Sequence, residues 1–278
     1  MPASIFIQTL NEEDNLPRCL QSLTTWSDDI VVLDSFSTDR TEEIAKSYGC
    51  RFYQRPYDGR ANNQNWAVEN IDFKYPWVWY VDADEVTTAE LAKEIQQVTS
   101  DPGRPEVAYY VRRRNVLFGK WLKHGGQYNV WLARLWKPDN IRWERAANPV
   151  AKIDGPIGYL QNDFVHYFFS KGFHGWFERH NRSSTLEAQE NIKAIEDAAI
   201  DWAGLLSRNM RRRRDALKRL SYQLPSRPFV LFLYMYFLKA GFLDGKAGFT
   251  IAMLKAMYEY EICLKIKELH RRDRGLPV

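Results

Sequence analysis

An apolar segment of this chain ends abruptly in acids: Trp77–Val81 is followed by Asp82-Ala83-Asp84-Glu85. An apolar, aromatic run of this length is typical of a buried strand. Three neighbouring carboxylates repel one another and do not belong in a core. Because ligands of open α/β sheets bind at the carboxyl ends of strands, the pattern favours a divalent cation site at the end of this strand. A solvated acidic turn is the alternative.

Strand-like and helix-like segments alternate through the first hundred residues. Strands are predicted at 4–10, 30–33, 50–54 and 77–81, and helices at 16–23, 39–48, 61–70 and 88–98. This alternation indicates an α/β fold with a mostly parallel sheet flanked by helices. In such a sheet the polar segments 9–13, 34–39 and 82–85 meet at one edge. No glycine-rich phosphate loop is present, so phosphates are expected to meet a cation instead.

Charge divides the chain into an acidic body and a basic tail. Residues 207–278 contain 16 Lys and Arg against 6 Asp and Glu, or +10, whereas residues 1–206 contain 23 against 29, or −6. We therefore predict a body over 1–206, with a ligand-binding half at 1–100 and a mixed, strand-containing region at 101–170. Residues 207–278 are predicted to form a basic, amphipathic helical extension that meets an anionic partner.

The apolar part of this tail favours a membrane surface as the partner. Phe229–Leu238 contains ten apolar residues, whereas a membrane span needs about 20. Together, Phe229–Leu238 and the second amphipathic stretch, 249–266, are interpreted either as a helix pair in a membrane interface or as a helix hairpin packed on the body. The charge division favours the first reading. Nucleic acid is not expected, because no base-stacking motif accompanies Arg211–Arg214.

Cysteine usage and the N-terminus bear on the compartment. Three scattered cysteines form neither a disulfide framework nor a zinc spacing. The chain passes from Met1 directly into a strand pattern, with no visible signal peptide. We therefore expect a cytoplasmic protein that is peripheral on the inner face of the cell membrane.

The three acidic or polar strand ends also carry a family resemblance. Residues 9–13 (Thr-Leu-Asn-Glu-Glu), 32–41 and 82–85, in this order, resemble family 2 glycosyltransferases with the GT-A fold. Each motif alone is weak, but their order is specific. Later segments, looser in their match, are similar to bacterial lipopolysaccharide-core and polysaccharide β-glucosyltransferases: 119–126, Arg134-Leu135, 158–160, His166-Tyr167 and 241–245.

The resemblance implies a nucleotide-sugar site, with UDP-hexose as the expected donor. Asp34 would accept a hydrogen bond from the base or ribose, and Asp82 would contact the ribose or a metal-bound water. Arg60 would supply charge to the diphosphate, because relatives carry a basic residue where Gln64 stands; otherwise it is a solvated helix-start residue. The other residues implied to bind the nucleotide sugar are Thr9, Asn11, Glu12, Ser35, Asn65 and Ala83.

The resemblance further implies that Asp84 ligates Mg²⁺ or Mn²⁺ bridging the diphosphate. Asp82 and His166 are further metal-site candidates. For His166 the competing interpretation is an ordinary histidine after a strand.

The general base is the least determined part of the site. An inverting transferase needs a group that deprotonates the acceptor hydroxyl. Relatives often have a His-Glu pair near Asn148-Pro149, and neither residue here ionises. Glu144 is the favoured candidate, although it is equally read as a salt-bridge partner of Arg142 or Arg145 on an exposed strand. Further acids considered are Glu85, Asp154 and Asp163.

These patterns predict a metal-dependent, inverting glycosyltransferase. It would move a hexose from a nucleotide sugar to a lipid-linked or lipopolysaccharide-type acceptor at the cytoplasmic membrane face. One alternative is a nucleotidyltransferase, which also uses paired acids and a metal but usually carries a basic glycine-rich loop after the first strand. The other is a non-catalytic, membrane-associated binding protein with a transferase fold, which the loss of ionisable groups at 148–149 would suit.

Overall fold

The computed structural model describes residues 3–144, 149–196, 201–210, 212–213, 216 and 226–278. The chain forms two compact units: residues 1–123 with 127–170, and residues 124–126 with 171–278. The sequence placed the boundary at 206/207. The units divide earlier because the long helix that follows residue 170 packs against the C-terminal helix.

The first unit is built on a mixed, mostly parallel nine-stranded sheet. Its first half consists of four parallel strands, with β1 between β2 and β4 and with β3 beyond β2: β1 (Ser4–Thr9), β2 (Ile30–Asp34), β3 (Arg51–Gln54) and β4 (Val78–Asp82). The register pairs Thr9 with Asp34, and Gln8 with Asp82. The three strand ends therefore lie at one edge, as the sequence predicted.

The second half of the sheet contains strands of both directions. Beyond β4 it continues in the order β8 (Trp131–Trp136), β6 (Ala108–Leu117), β11 (Ile157–His166) and β5 (Glu85–Val86), while β7 (Lys120–Trp121) pairs with β6. A separate two-stranded sheet contains β9 (Ile141–Glu144) and β10 (Val150–Ile153). β8 runs antiparallel to β4 and β6, whereas β11 runs parallel to β6.

Two strands of this half go beyond the sequence expectation. Within the region 101–170, for which the sequence predicted a mixed, strand-containing structure, β11 is one ten-residue strand with an irregularity between Tyr159 and Asp163. Such an irregularity interrupts the period-two pattern that marks a strand. The sequence did not predict β5, whose pairing sets Glu85 opposite His166.

Helices cover both faces of the sheet: α1 (Leu16–Gln21), α2 (Thr41–Ser47), α3 (Arg60–Asn70) and α4 (Ala89–Ser100). Alternate residues of the central strands enter different core clusters. Ile7 and Trp79 pack with residues of α1 and α4, whereas Phe6 and Tyr80 pack with residues of α3. This burial on both faces explains the nearly continuous apolar runs of β1, β2 and β4.

The N-terminal end of α4 is capped by a side chain. Thr88 stands at the N-terminal end of this helix, and its hydroxyl oxygen accepts a hydrogen bond from the N–H of Leu91 at 3.2 Å.

The second unit is helical: α5 (Gly172–Glu196), α6 (Trp202–Leu205), α7 (Arg227–Leu233) and α8 (Gly245–Asp273). α7 continues as a π-helical turn to Leu238, and a 3₁₀ turn, Gly241–Asp244, precedes α8. The short segment 124–126 is bound to this turn. The N–H and Nδ1 of His124 contact Asp244 at 2.8 and 2.9 Å, and the N–H of Gly125 donates to the carbonyl of Lys239 at 2.8 Å.

Within the described residues, no single helix is both long and apolar enough to cross a membrane. One pair of helices, 227–238 and 241–273, meets the length and composition criterion together, with a 71° bend between them.

Candidate active site

The loops after β1 and β2 are tied together by buried hydrogen bonds. Asp34, fully buried, accepts from the hydroxyl of Thr9 at 2.8 Å, and from the N–H and hydroxyl of Ser37 at 2.7 and 2.5 Å. The N–H of Asn11 donates to Ser37 at 2.8 Å, and the Asn11 side-chain oxygen accepts from the N–H of Thr38 at 2.8 Å. Asp34 thus holds the loop in shape, a role that the resemblance did not assign to it.

Two residues of these loops adopt the left-handed backbone region. Asn11 has φ 53° and Phe36 has φ 60°. For a bulky residue such as Phe36 this conformation is strained, and strain of this kind concentrates at functional sites. The side chains of Phe36 and Leu10 are 53% and 45% exposed. The edge therefore presents two apolar side chains beside a polar, hydrogen-bonded floor, an arrangement that sequence reasoning missed.

Glu12 and Ser35 support the same loops. The N–H of Ser35 donates to the carbonyl of Thr9 at 2.9 Å. The N–H of Glu12 donates to the hydroxyl of Thr41 at 2.8 Å, and its carboxylate accepts from the Asn15 amide at 2.7 Å.

An ion cluster lies at the end of β4. The carboxylate of Asp82 binds Arg60 at 2.6 Å, Arg134 at 2.9 Å and the hydroxyl of Tyr80 at 2.6 Å. Arg134 also binds Glu85 at 2.6 Å, and the second carboxylate oxygen of Glu85 accepts from the N–H of Asp82 at 2.9 Å. The side chains of Arg134 and Glu85 are almost fully buried. Each acid of the cluster is therefore matched by a guanidinium.

The pKa values of the two acids in this cluster are shifted in opposite directions. Burial alone would raise the pKa of Asp82, but Arg60 and Arg134 outweigh it and hold that pKa well below its usual range. Burial raises the pKa of Glu85; Arg134 opposes part of this rise, while Asp82 and Asp84 add to it. Asp82 is thus a fixed anion, and Glu85 is the carboxyl from which a proton is harder to remove.

Asp84 lies between these two anchored residues and faces His166. The Asp84 carboxylate is 3.4 Å from Nε2 of His166, and the Asp84 carbonyl accepts from the N–H of Tyr167 at 2.9 Å. Nδ1 of His166 lies 2.9 Å from the side-chain oxygen of Asn115. This contact assigns the proton to Nδ1, so the Nε2 lone pair points towards the carboxylate. Burial lowers the pKa of His166 and favours its neutral form.

The Asp84–His166 pair fits a divalent cation. A neutral imidazole nitrogen and a carboxylate 3.4 Å apart are two electron-pair donors aimed at one place. No cluster of three or more His, Cys, Asp or Glu side chains suited to a metal occurs in the part of the chain that the structure describes. Mg²⁺ is commonly held by one or two protein ligands together with substrate phosphates and waters. The pair therefore suits an ion that arrives with a phosphate ligand.

A cavity of about 440 Å³ lies beside the ion cluster. Its walls include the aromatic side chains of Tyr110, Trp131 and Trp143. Its polar lining includes Arg60, Arg113, Arg134 and Gln64, and Pro149, Val150 and Ala151 also line it. Burial lowers the pKa of Arg113.

Two further residues that the resemblance implies in donor binding are Asn65 and Ala83. The Asn65 amide donates to the carbonyl of Trp143 at 2.9 Å and accepts from its N–H at 2.8 Å, so it fastens β9 to α3. Ala83 is buried.

The structure does not bring the predicted base candidates into the cavity. Burial alternates along β9, so Glu144 is exposed on the face opposite Trp143, where it pairs with Lys152 at 3.2 Å. Glu85 has both oxygens occupied in the ion cluster. Asp154 is exposed in the turn before β11, where its N–H donates to the Asn140 carbonyl at 2.9 Å, at the opposite end of the strands.

The other positions considered for the base do not supply one within the described structure. Asp163 is held by Arg112, Arg114 and Tyr128 at 2.9, 3.0 and 2.9 Å. Asn148 lies outside the described residues, and Pro149 lines the cavity.

Sequence reasoning missed several residues of the site. Arg134 was noted only as part of a motif, although an arginine inside the apolar segment Trp131–Trp136 is a signal for a buried ion pair. Asn115, Arg113 and Tyr80 carry no comparable signal, because their contacts depend on how distant strands pair.

Comparisons with known proteins agree with this geometry. The model of the family described as "Glycosyl transferase family 2" matches residues 4–153. The lipopolysaccharide core biosynthesis glycosyltransferase LpsC of Rhizobium meliloti is 26% identical over 277 residues, covering 97% of this chain and 93% of LpsC. An uncharacterized glycosyltransferase of Rickettsia typhi is 23% identical over 98% of this chain and 89% of its own length.

Solved structures share the fold. A crystal structure of S. aureus TarS has a TM-score of 0.50 at 15% identity, covering 99% of this chain and 92% of that one. The mannosyltransferase PcManGT of Pyrobaculum calidifontis, solved with GDP-Man and Mn²⁺, also has a TM-score of 0.50 at 15% identity, covering 95% and 86%. The predicted GT-A type of α/β fold is confirmed. Because the family model matches more than half of its length, this chain belongs to glycosyl transferase family 2 and is a glycosyltransferase.

Proposed function

We propose that this protein transfers a hexose, with inversion and with the help of a divalent metal, from a UDP-linked donor to a lipid-linked or lipopolysaccharide-type acceptor. The observation that carries the donor and metal part is the Asp84–His166 pair, 3.4 Å apart at the sheet edge that also holds the loops of β1 and β2. This places two electron-pair donors beside a hydrogen-bonded, partly apolar surface that suits a nucleoside.

In this proposal the loops after β1 and β2 bind the nucleoside. Asn11 and the backbone around Asp34 offer polar groups to the base and ribose, and Phe36 offers an exposed ring against which a base can stack. The choice of UDP as the donor nucleotide rests on the sequence resemblance. PcManGT, with the same fold, was solved with a nucleotide sugar and Mn²⁺, which supports this class of donor.

Asp84 and His166 would hold Mg²⁺ or Mn²⁺. When bound there, the ion supplies positive charge that stabilises the leaving nucleoside diphosphate. The protein's own part is positioning. Glu85 holds the N–H of Asp82, and Arg60 and Arg134 hold its carboxylate, so the turn that carries Asp84 is fixed before substrate arrives.

Inversion requires a proton acceptor for the attacking hydroxyl. The proposal of inversion rests on the resemblance alone, since none of the candidates Glu144, Glu85 and Asp154 reaches the cavity in the described structure. The cavity lined by Trp131 and Trp143 is the place where the acceptor hydroxyl would approach.

The acceptor class rests on the LpsC similarity, which spans nearly the whole of both chains. Lipid-linked saccharides are reached at a membrane surface, and we propose a peripheral location on the cytoplasmic face. Around the bend between α7 and α8, Phe237, Leu238, Phe242 and Leu243 are 55%, 79%, 47% and 56% exposed. Exposed apolar side chains beside basic groups are typical of interfacial helices, and the basic composition of 207–278 adds attraction to anionic lipid.

The two alternatives from the sequence are now less favoured. Family membership and the absence of a glycine-rich phosphate loop in the sequence speak against a nucleotidyltransferase. The non-catalytic interpretation would return if no UDP-hexose released UDP in the presence of Mn²⁺.

Replacement of Asp84 by Ala should weaken UDP binding in the presence of Mn²⁺ by about a hundredfold or more, because one of the two protein ligands is lost. His166→Ala should act in the same direction. Isothermal calorimetry with UDP, with and without Mn²⁺, measures this. The matched control is Asp154→Asn, at the opposite end of the strands, which should bind as the wild type does. A UDP affinity that changes neither with Mn²⁺ nor with Asp84→Ala would refute the metal bridge.

Glu144→Gln should retain UDP release from UDP-glucose within about threefold, because Glu144 faces away from the cavity and an exposed ion pair contributes only about 0–1 kcal/mol. The control is Lys152→Met, which removes the partner but keeps the carboxylate. A loss of about 10²–10⁴-fold in Glu144→Gln alone would instead identify Glu144 as the general base.

Replacement of both Leu238 and Leu243 by Asp should reduce binding to anionic phosphatidylglycerol vesicles at least about tenfold, since each leucine loses its apolar contact with lipid. Vesicle flotation measures the bound fraction. Leu206→Asp, at a 90% exposed position of the same unit away from the bend, is the control. Equal flotation of the double variant and the control would contradict the proposed surface.

A further inference from the structure

The cavity beside the ion cluster carries more positive charge than its acids balance. Arg60 and Arg134 are matched by Asp82 and Glu85, as two guanidiniums against two carboxylates. Arg113 is the third guanidinium at the wall, and it forms no ion pair with an acid in the part of the chain that is described.

Donor atoms at this wall also lack partners. Nε and Nη1 of Arg134 and Nε of Arg113 are buried without a hydrogen-bond acceptor among the described residues. Arg134 is only 3% exposed. Buried guanidinium donors are almost always paired in folded proteins, and their strongest partners are carboxylate and phosphate oxygens. Both arginines line the same cavity, so an oxyanion bound there would lie beside two guanidiniums.

The remaining walls suit a sugar ring. The ring centroids of Tyr110 and Trp131 lie 5.7 and 5.0 Å from that of Tyr159, so both rings pack against it. Trp143 lies on the separate two-stranded sheet and also lines the cavity. Such fixed aromatic faces pack against the apolar face of a pyranose, while polar groups fix its orientation. A volume of about 440 Å³ is within the range of small-molecule sites.

We propose that this cavity selects a sugar that bears an anionic group, a carboxylate or a phosphate, whose oxygens accept hydrogen bonds from Arg113 and Arg134. The inference rests on the proposed function, because it names the class of acceptor that the transferase site takes. The same oxyanion chemistry could come from the diphosphate of the donor. The cavity shares Arg60 and β4 with the metal end of the proposed donor site. The acceptor is favoured because Arg113 and the aromatic walls come from β6, β8 and the small sheet, whereas the nucleoside loops follow β1 and β2.

The test uses the full-length protein and three probes: methyl β-glucoside, methyl β-glucuronide and glucose 6-phosphate. Each is titrated by calorimetry into the protein saturated with UDP and Mn²⁺, and again without nucleotide. The two charged probes should bind at least about tenfold more tightly than the neutral one, and added salt should reduce this preference. Arg113→Gln should abolish the preference, while UDP–Mn²⁺ affinity stays within about twofold of the wild type.

Two further variants guard against trivial explanations. Arg142→Gln removes a charge whose guanidinium binds the carbonyls of Pro138 and Ile141 outside the cavity, and it should keep the preference. Arg113→Lys keeps the charge and should retain part of the preference. Because Arg113→Lys preserves a cation at this wall, it remains informative if Arg113→Gln does not fold.

Several results would overturn the inference. Equal binding of the neutral and charged probes to the wild type would do so, with or without UDP. A loss of UDP–Mn²⁺ affinity in Arg113→Gln that equals its loss for charged sugars would assign the guanidinium to the donor diphosphate. Failure of the wild type to bind UDP with Mn²⁺ would defeat the proposed donor function, while the titrations without nucleotide would still decide whether the cavity prefers an anionic sugar.

Discussion

At the end of β4, two carboxylates and two guanidiniums lie together; the side chains of Arg134 and Glu85 are almost fully buried, whereas those of Asp82 and Arg60 are 25% and 42% exposed. Removing charges from water is costly, and leaving one partner unpaired in a buried ion pair costs about 3–5 kcal/mol. Asp82, Glu85, Arg60 and Arg134 therefore form a set whose members depend on one another. Because they come from β4, β5, α3 and β8, the set fixes how the two halves of the sheet meet. It also holds Asp82 and Glu85, which flank Ala83-Asp84 in the chain, and the Asp84 carboxylate lies 3.4 Å from Nε2 of His166.

The sequence was sufficient for the parts of this arrangement that depend on local periodicity. Apolar runs of β1, β2 and β4 and the polar residues that follow them predicted a parallel sheet with a shared edge. The register of Thr9 with Asp34 and of Gln8 with Asp82 confirms it. The same reasoning singled out Asp84 as a metal candidate, because three acids within four residues have few explanations other than a cation or solvent.

The parts that were missed depend on non-local pairing. β5 has only two residues and no pattern of its own, yet its pairing with β11 sets Glu85 opposite His166. Asp34 and Asn65 were read as ligand-binding residues, and the structure shows that their polar atoms also hold Ser37 and Trp143. A polar side chain that organises a loop and one that contacts a ligand look alike in sequence. The boundary of the second unit was missed for a related reason, since only the packing of α5 on α8 shows that they belong together.

We propose that Asp84 and His166 together hold the metal of the donor site. A crystal structure of the protein with UDP and Mn²⁺, with diffraction collected at the manganese absorption edge, would show where the metal lies. We expect an anomalous peak at bonding distance from both the Asp84 carboxylate and Nε2 of His166, with diphosphate oxygens completing the coordination. Ordered UDP with a manganese peak remote from both residues would contradict it.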